Sequence, residues 1–128
     1  MRVTGAFLAE AAATVDNKLD VQGGVLSRFT VGADRCARFV VVVLTHGDDD
    51  NSDRSIEVEL KPPTADDPIR RAFEAPEASV GEFPGFAFFG IEVVLPVDGH
   101  WVIDVTSDGV GVSLPLVVSS WTPAPLSI

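Results

Sequence analysis

From Gly90 to Val118, apolar and polar residues alternate almost without interruption. Trp101, Ile103 and Val105 fall on one side of a strand, and His100, Val102, Asp104 and Thr106 fall on the other. After Ser107-Asp108-Gly109 the pattern resumes, with Val110, Val112, Leu114, Leu116 and Val118 on one side and Gly111, Ser113 and Pro115 opposite. Strand side chains alternate between faces, so this segment predicts antiparallel sheet with one buried side. Asp-Gly between the two runs supplies the positive φ that a tight hairpin turn requires.

The remainder reads in the same idiom. Residues 2–10 alternate as a strand, although the Ala-rich stretch 9–13 suits a helical turn equally well. Asp16-Asn17 is a turn signal. Leu19 to Val31 alternates again, with Gly23-Gly24 as a bulge or a close backbone approach. The run Phe39-Val40-Val41-Val42-Val43-Leu44 is apolar on both sides and predicts a central strand covered on both faces. Ser55–Lys61 reads as a half-exposed strand with Ile56, Val58 and Leu60 inward, stopped by Pro62-Pro63. Further strands are expected near Ile69–Ala75 and over Phe86–Pro96. About eight short strands, punctuated by turns, predict one all-β domain over residues 1–118. Its expected form is an antiparallel β-sandwich of the Greek-key, immunoglobulin-like kind, with a β-barrel as the alternative. Residues 119–128 read as an extended C-terminal tail.

Composition narrows the partners. The chain has 128 residues, 46% of them hydrophobic, which supplies a single core. Its net charge of −10 arises from 19 acidic against 9 basic residues. No basic stripe that could neutralise phosphates is present, so nucleic acid is not an expected partner. An anionic membrane surface is disfavoured for the same reason. The apolar stretch after Met1 is interrupted by Glu10 and preceded by one arginine, unlike a signal peptide, and no segment is long enough to span a membrane. A cytoplasmic protein is expected. Cys36 is the single cysteine, so no intramolecular disulfide exists, in keeping with a reducing compartment. Arg35 and Arg38 would lower its thiol pKa, but its place at the head of an apolar run suits a small buried hydrophobe.

Phe7-Leu8-Ala9-Glu10-Ala11-Ala12, followed by Asn17-Lys18-Leu19-Asp20-Val21-Gln22-Gly23-Gly24, resembles the pattern "LLADAA…GKLNILGAF" of a group of small bacterial all-β proteins. The close from Pro96 through Trp101 to Leu114-Pro115-Leu116-Val117-Val118 is similar to that group's "G-x-Y-x-F-x-V…D-G…x-P-L-x-V". Asn17 stands where the group tends to have Gly, and Trp101 where it has Tyr. The group is known only as a domain of unknown function. The resemblance therefore implies a small β-sandwich and carries no catalytic residues with it.

Few residues invite chemistry. Asp48, Asp50, Ser52 and Glu59 fall at ligand positions of a calcium-loop register, but Asp53 occupies the position where the sharp turn needs glycine. A looser calcium site built on Asp48, Asp50 and Asp53 is the one cation candidate, and no other cofactor is expected. His46 and His100, the two histidines, could make a zinc site only by converging with a third ligand such as Asp98. The chain has no nucleophile elbow, phosphate loop or dinucleotide fingerprint. Apolar material is richer. Phe83, Phe86, Phe88 and Phe89 cluster before the closing hairpin, with Phe86 and Phe88 on one strand face and Phe89 on the other. Trp121, Leu126 and Ile128 lie in the tail. These seven residues point to a non-enzymatic interaction module or accessory subunit that binds a protein partner or itself. The rival expectation is a calcium- or ligand-binding sandwich using the acidic loop 48–53.

Overall fold

The computed structural model describes residues 1–47, 53–80 and 83–121, and among these the chain is all-β. The strands are β1 (Arg2–Ala9), β2 (Ala11–Val15), β3 (Lys18–Gln22), β4 (Arg28–Val31) and β5 (Cys36–His46), then β6 (Ser55–Lys61), β7 (Ile69–Glu74), β8 (Gly85–Val94), β9 (Gly99–Ser107) and β10 (Val110–Ser120). The helical content of the described residues is a single 3-10 turn at Glu77–Val80. One sheet has the order β1-β5-β8, a second has the order β4-β10-β9-β6-β7, and β2 and β3 form a separate hairpin. Every pairing among them is antiparallel except that of β4 with β10, which is parallel.

Local chemistry sets the boundaries. Ser107 pairs with Val110, leaving Asp108-Gly109 as a two-residue loop with φ of 53° and 77°. A turn of this hand matches strand twist, and glycine adopts it without strain. Asp16-Asn17, at φ 52° and 62°, closes β2 onto β3 in the same way. Here the structure departs from the sequence reading. Ala11–Val15 is a strand, because the turn hands it Lys18–Gln22 as a partner and ladder formation overrides alanine's helical preference. The row Leu19–Val31 is also broken at Gly23-Gly24 into β3 and β4, which belong to different sheets. These two changes raise the count above the eight or so strands expected.

The two larger sheets bury their inner faces in one shared core. Phe39, Val41 and Val43 enter it from β5, and Ala87, Ile91 and Val93 from β8. Ile56, Val58 and Leu60 face them from β6, Trp101, Ile103 and Val105 from β9, and Leu116 and Val118 from β10. Fully burying a side chain of this size contributes roughly 1.5–3 kcal/mol. Trp101 is the largest of them, and its indole N–H is satisfied by the Val97 carbonyl at 3.0 Å. Near the 3-10 turn, the buried Thr45 hydroxyl donates to the Ser79 carbonyl at 2.8 Å.

Candidate interaction surface

β5 is the middle strand of a three-stranded sheet whose inner face is core, so its alternate residues must line an outer face. Arg38, Val40, Val42 and Leu44 do so. The register sets Val42 between Phe7 of β1 and Phe88 of β8, and Leu44 beside Phe86. The Phe86 and Phe88 rings lie stacked, with centroids 6.5 Å apart and planes at 9°. Val42 is fully buried beneath its neighbours, while Leu44 remains 39% exposed. Along the same two strands Val40 pairs with Gly90, and Arg38 pairs with Glu92 through a largely exposed ion pair of 3.1 Å. The result is an apolar strip along β5 and β8, ended by one charge of each sign.

The outer face of the five-stranded sheet is built differently. Lys61 Nζ lies 2.6 Å from an Asp104 carboxylate oxygen, and the Ser113 hydroxyl donates to the same carboxylate. These bonds hold the Asp104 carboxyl below the usual range, Lys61 contributing most and Ser113 next, and Asp104 in turn pushes the Lys61 ammonium up. Arg70 and Glu59 pair at 3.7 Å on the neighbouring strands. At the free edge of this sheet, Arg71 donates to the Arg70 carbonyl at 3.0 Å. A charged side chain standing on an edge strand obstructs strand addition. The hollow beside it, about 180 Å³ and lined by Glu57, Glu59, Arg70, Arg71 and Ala72, is smaller than most ligand pockets.

The residues singled out from the sequence separate into groups. Phe86 and Phe88 sit together on the apolar outer strip. Phe89 does not join them: its side chain turns inward and stacks on Phe73 of β7 at 4.6 Å, helping to close the space between the two sheets. Phe83 precedes β8 and is 75% exposed. Trp121 follows β10, 66% exposed, with its backbone N–H tied to the Val31 carbonyl at 2.9 Å. Leu126 and Ile128 lie outside the described residues, as do Asp48 and Asp50. Asp53 accepts the Ser55 backbone N–H at 2.9 Å, which holds its carboxyl below the usual range. His46 ends β5 in one sheet and His100 begins β9 in the other, and Asp98 is engaged elsewhere. Among the described residues no group of three or more His, Cys, Asp or Glu side chains could hold a metal ion.

Cys36 also departs from expectation. It is exposed, because the first residue of β5 points outward. Protein packed near the sulfur and the adjacent Asp34 carboxylate push its thiol up, outweighing Arg38. This disfavours the reactive thiolate.

A polar joint that the sequence did not announce ties the sheets together. Arg35, at φ 59°, sits in the turn that carries the chain from β4 to β5. Its Nε donates to the Leu95 carbonyl at 2.6 Å, Nη1 to the Ser120 hydroxyl at 2.9 Å and Nη2 to Asp98 at 2.7 Å. Ser120 also donates to the Asp98 carboxylate. Arg35 and then Ser120 keep the Asp98 carboxyl below its ordinary range. One guanidinium thus joins the β4–β5 and β8–β9 connections, both of which pass between the sheets, to the end of β10.

Compared with protein-family models, curated proteins and solved structures, the chain matches none. No helix among the described residues is long and apolar enough to cross a membrane. The surface itself must carry the functional argument. Sequence reasoning missed Phe7, Val40 and Leu44 as members of that surface, since it reads β5 as a strand covered on both sides, which holds at Val42 and fails at Leu44. A signal was available: nothing in the chain patterns as a long amphipathic helix that could cover a second face of the sheet.

Proposed function

We propose that the protein is a non-enzymatic interaction module that engages a protein partner through the outer face of the β1-β5-β8 sheet. The observation that carries this reading is the apolar strip of Leu44, Phe86 and Phe88 around Val42. Contiguous apolar surface on a sheet face marks a protein contact, since monomers seldom leave it open to water. The chain's single, exposed cysteine suits a reducing, cytoplasmic setting.

The test compares the parent with an L44S/F86S variant as affinity baits and in sizing measurements, with circular dichroism confirming the fold. A stoichiometric companion, or a second copy, held by the parent and lost from the variant supports the reading. Equal behaviour of the two baits overturns it.

A further inference from the structure

We infer that the occupant of this face is a second copy of the chain, packed face to face about a two-fold axis running parallel to the strands, midway between β5 and β8. The inference rests on the interaction reading above and names its partner. β5 and β8 pair in continuous register, Cys36 with Val94 through Thr45 with Gly85. An axis between them carries every β5 residue onto the paired β8 position of the other copy. Leu44 then meets Phe86 of the second copy and Arg38 meets Glu92, while Val42, already buried within its own sheet, lies beneath the contact.

Charge complementarity selects a copy over other proteins. Arg38 and Glu92 stand side by side, both largely exposed, and the axis turns that pair into two reciprocal ion pairs across the contact. The chain carries a net charge of −10, so two copies repel at most orientations. This strip holds one charge of each sign and escapes that repulsion, while offering no acidic field to attract a basic partner. Shape agrees. Val40 is brought over Gly90 of the second copy, where the space above the glycine is open, with no atom within 4 Å of an added Cβ. Aligned sheets stack with their strands within about 30° of each other, which a twisted three-stranded sheet satisfies. A two-fold contact also closes on itself, so it gives a dimer and no filament.

Sedimentation of the full chain over a micromolar-to-millimolar series tests the inference, with circular dichroism verifying each variant. The parent is expected to reach dimer. R38E places like charges opposite each other in both reciprocal pairs, as does E92R, and each should weaken the dimer at least about tenfold. An equimolar mixture of R38E and E92R should recover it, because the two acidic side chains of one copy then face the two basic side chains of the other. The double variant R38E/E92R should recover it alone. A parent that stays monomeric throughout overturns the second copy but leaves the bait comparison above to decide the interaction reading. A dimer indifferent to the swaps, or one not rescued by mixing, places the contact elsewhere and overturns the inference.

Discussion

The two outer faces of this fold are made from the same kind of strand and finished in opposite ways. On the five-stranded sheet, Lys61, Asp104 and Ser113 cross-link neighbouring strands, and Arg70 and Arg71 guard the free edge. On the three-stranded sheet the matching positions hold Val40, Val42, Leu44, Phe86 and Phe88. Solvent suits the first face, whereas the second leaves apolar area, that of Leu44 most of all, in water. Two glycines show the contrast at its sharpest. A Cβ on Gly111, on the polar face, would collide with the Val105 carbonyl oxygen, whereas one on Gly90, on the apolar face, would meet nothing within 4 Å. The first glycine is demanded by its own fold. The second is small in open space, and its own fold makes no demand for it.

Replacing each glycine by alanine should therefore have the largest and most unequal effect. G111A must displace backbone in the closing hairpin and is expected to cost about 3 kcal/mol or more. G90A should leave stability unchanged or raise it by about 0.5 kcal/mol, since glycine is a poor strand former. Urea unfolding of both variants measures this, and equal losses would erase the distinction between the faces.

The joint that holds the faces together comes next. R35A removes the bonds to Leu95, Ser120 and Asp98 and should cost about 2 kcal/mol. R35K keeps the charge but lacks the fork, so it should recover only part of the loss. Full recovery by lysine would show that charge alone suffices.

Leu44 and Val102 then form a matched pair, at 39% and 40% exposure on opposite outer faces. Val102 stands between Lys61 and Pro115 in register, while Leu44 adjoins Phe86. L44K should abolish association of the parent, and V102K should leave it intact, with little change in unfolding midpoint for either. Sizing decides this. Equal effects would mean that exposure, and not the neighbourhood, governs association.

Much of this was legible in the residues. The Trp101-Ile103-Val105 row, the Asp108-Gly109 turn and the inward set Ile56, Val58 and Leu60 follow from period-2 alternation and turn chemistry, both local properties. Phe86 and Phe88 could be placed on one face for the same reason. What escaped is non-local. Whether Val40 and Leu44 are covered depends on what packs beyond them, and whether Phe89 is surface depends on Phe73 arriving from another sheet. Arg35 sits in a turn and, taken alone, looks like any solvated arginine. Its partners lie 60 and more positions away, at Leu95, Asp98 and Ser120.

The smallest expected effect concerns acid. Asp98 at the joint and Asp104 on the polar face both titrate below the ordinary carboxylate range. A carboxyl with a depressed folded pKa adds stability that is complete above its unfolded value, about 4, and disappears as pH falls through the folded value. Urea midpoints of the parent should therefore be steady near neutrality and decline as pH drops below about 4. D98N and D104N should each begin lower at neutral pH and decline less, because the group responsible no longer titrates. Leu44, Phe86 and Phe88 have no protons to gain, so these side chains have no share in the acid slope. If both variants keep the parent's slope, the cross-links on Asp98 and Asp104 do not set it. The contrast between the faces would then rest on hydrophobic area alone.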